Sequence, residues 1–150
     1  MRDVIPLHIK LAPSSPQAID KVRRLGDALR ELPRLPFVIE HMLHAGMYTR
    51  TTRLPAGTVL AAVLIQVPTV LIIMGEGVVY SNDELIPVEG YTVLAGSAGR
   101  KVAMVTQSEF AMSMMFPTQA KTVAEAEREF TPEHELLIAP GGQTTLITGE

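Results

Sequence analysis

Apolar residues return at two different spacings along this chain. Between Ser15 and Pro33, the residues Ile19, Val22, Leu25, Leu29 and Leu32 recur every three or four positions. Lys21, Arg23, Arg24 and Arg30 fall between them, which is the period of a helix with one buried stripe. Ser15 is a suitable N-cap, Pro16 suits the first helical position, and Pro33 closes the segment. A second helix is predicted over "TVAEAEREF", where Thr122 and Glu125 form a capping box between Pro117 and Pro132. Between the two helices the pattern shortens. "MYTRTTRL", "VVYSND", "ELIPVEG", "YTVLAGSAG", "RKVAMVTQ" and "FAMSMMFP" are separated by Gly, Pro, Asn and Asp. That rhythm predicts an antiparallel sandwich or barrel of about seven or eight strands. The closing "PGGQTTLITGE" reads as a loose tail or an added edge strand.

The longest apolar run is "GTVLAAVLIQVPTVLIIMGEG", residues 57–77, whose one charge is Glu76. Its length would cross a bilayer. Its β-branched composition and its central Pro68 instead divide it into two buried strands, "TVLAAVLIQV" and "TVLIIMG". No membrane span is expected.

A chain of 150 residues is expected to form one domain. The division expected here is an N-terminal helical arm over 1–37, a barrel over 38–118, and a C-terminal helix and tail over 119–150. The net charge is −3 and the basic residues are not massed together, which excludes the dense positive footprint of a nucleic-acid surface. Cysteine is absent, so disulfides, thiolate metal sites and cysteine nucleophiles are excluded. The opening "MRDVIPLHIKLAPSSP" lacks the apolar core of a signal peptide, and a cytoplasmic location is expected.

"LPAG" before a strand pair, then "GEG", then "VEGYTVLAGSAGRK", resembles the cupin family of small jelly-roll barrels. "EHMLHAGMYTRTTRLPAG" and the flanking "AKTVAEAEREF" are similar to small cupin-like proteins encoded by phages and prophages. The resemblance covers residues 38–118 and implies a mainly β, single-domain barrel with a helix on either side. The family's metal motif, laid on this chain from Gly57, closes on Gly77. Its two histidine positions fall on Val63 and Ile65, and its glutamate position on Val70. The second motif, starting at Gly90, puts its histidine position on Lys101 or Val102, and Phe116 stands where related proteins carry a late histidine. Hydrocarbon offers a divalent ion neither nitrogen nor oxygen. The expectation is therefore a cupin frame with no metal and no cofactor.

Four histidines are present: His8, His41, His44 and His134. "EHMLH" read as a helical turn puts His41 and His44 on one face with Glu40 beside His44, a candidate metal or acid–base site at the barrel mouth. A solvated connector is the plainer alternative. "GSAGRK" offers Arg100 and Lys101 after a glycine-rich turn, a candidate anion cradle or else a solvated hairpin. Arg50 and Arg53 have opposite parity on a strand. Tyr48, Tyr80 and Tyr91 are candidates to line a pocket, and Tyr48, Arg50, Tyr91, Arg100 and Lys101 make up the expected ligand-binding set. Met104, Met112, Met114 and Met115 suit an adaptable surface or core gaps. Together these point to a homodimer or higher homo-oligomer that binds a small molecule in the barrel or serves as an assembly part. Two alternatives stand beside it: an enzyme for a small polar substrate using the His41 and His44 region, and a sponge for a signalling nucleotide using Arg100 and Lys101.

Overall fold

A computed structural model describes residues 9–150. His8 and the opening segment lie outside the described residues. The elements are β1 (Ile9–Leu11), α1 (Pro16–Arg30), β2 (Val38–His44), β3 (Met47–Leu54), β4 (Val59–Ala61), β5 (Thr69–Met74) and β6 (Gly77–Ser81). They continue with β7 (Glu84–Val88), β8 (Tyr91–Gly96), β9 (Ala103–Thr106), β10 (Phe110–Pro117), α2 (Val123–Phe130) and β11 (Gln143–Ile147). A single 3-10 turn, His134–Leu136, follows α2.

Two sheets pack face to face. The larger has the order β1-β8-β5-β10-β3-β2-β11 and the smaller the order β4-β9-β6-β7. All pairings are antiparallel except β1 with β8 and β11 with β2. This is a jelly-roll sandwich. The central strands of the large sheet alternate between the core and the outside, whereas all five residues of the edge strand β11 are exposed. In β3, Tyr48, Thr52 and Leu54 are buried, with Arg50 on the same face. In β5, Thr69, Leu71 and Ile73 are buried while Val70, Ile72 and Met74 turn outward. The sheet extends on both sides of residues 38–118, because β1 and β11 are hydrogen-bonded into it.

Local sequence explains several junctions. Ser15 accepts a hydrogen bond from the Ala18 N–H (3.1 Å) and caps α1, which then leads with Pro16. Thr122 caps α2 through the Glu125 N–H (3.2 Å), and the Glu125 carboxylate reaches back to the Lys121 N–H (3.1 Å). The turns at Ala45–Gly46 and Asn82–Asp83 both have two residues with positive φ, which suits a tight hairpin between twisted strands. Gly77 stands where a Cβ would lie 2.6 Å from the Val105 carbonyl oxygen, so only glycine lets β6 approach β9 there.

Two expectations about elements are corrected. "EHMLH" is not a helical turn but part of β2. Ile39, His41 and Leu43 are buried while Met42 and His44 are exposed, so burial follows a period of two and a helix would break the core face. "TVLAAVLIQV" yields only the short β4. Residues 62–68 run irregularly to Pro68, joined to the body by the bridge of Ile65 with Arg100.

Candidate functional site

The sandwich interior is packed with side chains. Phe130, the last residue of α2, enters the core beside Tyr48 and Phe116. Its ring centroid lies 6.0 Å from Tyr48 in a stacked arrangement and 6.1 Å from Phe116 edge to face. Ile73, Leu94 and Val79 are also fully buried. The helix thus closes the sandwich with an aromatic plug.

Next to this plug lies a buried polar chain. His41 Nδ1 is 2.7 Å from the Tyr48 hydroxyl, and His41 Nε2 is 2.9 Å from Gln143 Oε1 of β11. The amide oxygen only accepts, so Nε2 carries the proton and Nδ1 accepts from Tyr48. Burial lowers the His41 pKa and the Arg50 charge adds to that, against the Gln143 hydrogen bond and the Glu127 charge. Burial also pushes the Tyr48 phenol up to about 12. Arg50, opposite His41 in the ladder, donates to Glu127 of α2 (3.1 Å) and lies over the Phe130 ring. Among the described residues, no fully buried side-chain nitrogen or oxygen lacks a hydrogen-bond partner.

The other candidates separate. His41 and His44 face opposite sides of the sheet; His44 is exposed and bonds to Thr148 Oγ1 (2.7 Å). Glu40 lies on the outer face and pairs with Arg53. Tyr91 is on the outer face of β8, 65% exposed. The two cations of "GSAGRK" are neither solvated nor presented to solvent. Arg100 is 2% exposed and Lys101 4%. Lys101 Nζ pairs with Glu133 Oε1 at 2.8 Å. Arg100 donates to the Ser97 carbonyl (3.1 Å) and to Thr69 Oγ1 (2.7 Å), and burial lowers its pKa to about 10. Gly96 makes room for it, since a Cβ there would sit 2.6 Å from Arg100 Cζ.

Burial pushes the Glu133 carboxyl up, but hydrogen bonds from Lys101 and the Leu64 N–H, with the Lys101 and Arg23 charges, outweigh it and hold the pKa below the usual range. Glu133 is a residue that sequence reasoning passed over. No spacing rule joins it to Lys101, 32 positions earlier.

The hydrocarbon at the presumed metal positions is dispersed as well. Ile65 is buried, but Val70 points out of the sandwich, 45% exposed. Among the described residues, no group of three or more His, Cys, Asp or Glu is placed to hold a metal ion. No described helix is long and apolar enough to cross a membrane.

Two depressions open on the outside of the sandwich. One of about 290 Å³ lies between α1 and the small sheet, lined by Val22, Leu25, Val78, Leu85, Met104 and Val105 among others. The other, about 210 Å³, runs over the outer faces of β2, β3 and β11. The outer face of β8, β5 and β10 is largely apolar. Val70, Met74 and Val93, with Tyr91, are each 45–65% exposed there.

No protein-family model and no curated sequence matches this chain. Solved structures do match. The salicylate 1,2-dioxygenase of Pseudaminobacter salicylatoxidans is 17% identical over 76% of this chain and 35% of its own, with a TM-score of 0.50. A cupin superfamily protein from Desulfitobacterium hafniense is 17% identical over 61% of this chain and 86% of its own, with a TM-score of 0.49. The Cupin_2 domain of an XRE family transcriptional regulator from Enterobacter cloacae is 13% identical over 55% of this chain and 99% of that one, with a TM-score of 0.46. The chain spans about a third of the dioxygenase. At these identities the likeness concerns the fold alone, and with the strand order above it defines the class: a mainly β, cupin-like jelly roll with two helices.

Proposed function

We propose that this chain is a non-metal, cupin-like assembly module of the phage or prophage type, working through its surface as a homo-oligomer. The observation that carries the reading is the aromatic plug of Tyr48, Phe116 and Phe130, which fills the space where a barrel would receive a ligand. Of the polar residues nearest it, His41 bonds to Tyr48 and Gln143, and Arg50 donates to Glu127. Arg100 and Lys101 face inward, which removes the donors that a nucleotide sponge needs. A packed interior leaves the outer surface as the working part of the molecule.

Metal analysis of protein purified without chelator tests this. The expected result is less than a tenth of an equivalent of zinc, iron or manganese, and no rise in melting temperature on adding them. A stoichiometric metal that stabilises the fold would refute it.

A second reading rests on the depression beside α1. Its volume of about 290 Å³ and apolar lining suit a small hydrophobic molecule. Mass spectrometry of ligands released on denaturation distinguishes it: one recurring apolar compound favours this reading, and none removes it.

A further inference from the structure

We infer that the outer face of β8, β5 and β10 is the surface on which two copies of this chain pair, about a two-fold axis lying across the strands at Ile72. The inference rests on the surface-assembly reading and specifies its geometry. The ladder sets nine outward positions in three rows. The first is Tyr91, Met74 and Ala111; the second is Val93, Ile72 and Ser113; the third is Ala95, Val70 and Met115. Eight of the nine are apolar and none is charged. Ser113 already bonds to Thr51 Oγ1 at 2.6 Å, so covering it strands no polar group.

The area is sufficient. Tyr91 is 65% exposed, Met74 50%, Val93 47% and Val70 45%. With the other four, the patch exposes on the order of 500 Å² per copy, or roughly 1,000 Å² in a pair, the level a specific interface must clear. It is also at the upper end of the contiguous apolar patches found on monomers, roughly 300–600 Å².

Charge selects a second copy and its orientation. The loops next to the first row carry Glu76, Glu89 and Glu109, all exposed, while Arg53, beside Ala111 in the same row, is already paired with Glu40, so that end keeps an acidic excess. The third row is flanked by Lys10, paired with Ala95 in the ladder and exposed on the same side. Two orientations bring the patch onto itself with two-fold symmetry. An axis along the strands stacks the acidic ends on each other. An axis across the strands lays the acidic end of one copy over the Lys10 end of the other, which electrostatics favours. The same axis opposes large and small side chains: Tyr91 meets the partner's Ala95, Met74 meets the partner's Val70, and Ala111 meets the partner's Met115. Ile72 and Val93 meet their own counterparts. The two sheets then pack like the layers of a sandwich, about 10 Å apart with strands nearly aligned.

The test uses the absence of cysteine from the sequence. Sedimentation of the wild type is expected to give a dimer, and Ile72→Lys, which sets two like charges together at the axis, is expected to give a monomer with unchanged cooperative unfolding. Val93→Glu serves if Ile72→Lys does not fold. Single-cysteine variants and a short bis-maleimide, of about 8 Å reach, then read the axis. I72C is expected to link to itself. M74C, placed roughly 17 Å from its own copy by strand rise and sheet spacing, is expected not to self-link, but to link to V70C in a mixed sample. Self-linking of M74C overturns the axis. A dimer untouched by both charge variants overturns this face and leaves self-association standing. A wild-type monomer at high micromolar concentration overturns both.

Discussion

Arg100 and Lys101 stand next to each other and are both buried, yet their energetics differ. Lys101 is matched by Glu133, so removing it takes the shortest ion pair from a partly buried carboxylate and leaves it the Leu64 N–H and Arg23. Among the described residues Arg100 has neutral oxygens as partners and no carboxylate. Its burial is a cost that its pKa of about 10 records. Lys101→Met is therefore expected to destabilise the fold by about 3 kcal/mol, as breaking one side of a buried pair does. Arg100→Met, close in volume and free of charge, is expected to be neutral or stabilising. Denaturant melts of the two variants check this, and a larger loss for Arg100→Met would contradict it.

His41 makes a pH prediction. Its folded pKa lies below the unfolded value, so the unfolded chain takes up the proton first as pH falls. The neutral ring's contribution is complete above about pH 6.5 and declines as pH drops below it. Acid titration of stability in the wild type and in His41→Gln is expected to show a shallower slope in the variant as pH falls below about 6.5. Equal slopes would mean that His41 does not titrate with unfolding. Neither behaviour is visible in the sequence. A buried cation and a solvated one are spelled the same way, and Glu133 and Gln143 reach their partners only across the fold.

At the scale of elements, much was legible. "MYTRTTRL" is β3 residue for residue, because its alternation and its glycine-containing turn agree. Both helix starts follow from the Ser15 and Thr122 caps. The segment "EHMLH" misled because two histidines three apart suit a helix, while the alternation of Ile39, His41 and Leu43 suits a strand. The strand prevails because its pairing with β3 buries all three. The strand β11 was legible only as an option. All five of its residues are exposed, and parallel pairing with β2, the clasps at Gln143 and Thr148 and the Gly141–Gly142 approach hold it.

Two outcomes belong to this scale. Phe130→Ala is expected to cost about 3–5 kcal/mol, because α2 contributes its plug to the core through that ring. Truncation after Gly142 is expected to cost less, a shift of a few degrees with unfolding still cooperative, since none of β11's own side chains is buried and water can replace Gln143 at His41 Nε2. Thermal melts separate the two, and a truncated chain that loses cooperative unfolding would show β11 to be part of the core.

For the whole molecule, the jelly roll follows from turn rhythm and apolar alternation, and the sequence spacing of Gly57 and Gly77 keeps a metal motif's frame. The positions within that frame do not converge. Ile65 is buried at the bridge to Arg100, and Val70 faces away from the interior on β5. The parity of a strand depends on where it begins, and Pro68 sets that start only once the irregular stretch before it is known. What remains is a solid sandwich whose least ordinary feature is an apolar sheet face on its outside.

Native mass spectrometry of the wild-type protein, purified without chelator, tests this account most directly because mass reports metal, trapped ligand and subunit number together. The predicted spectrum is a dimer of bare 16.3 kDa chains. A monomer, or any assembly carrying a stoichiometric metal ion, would contradict it.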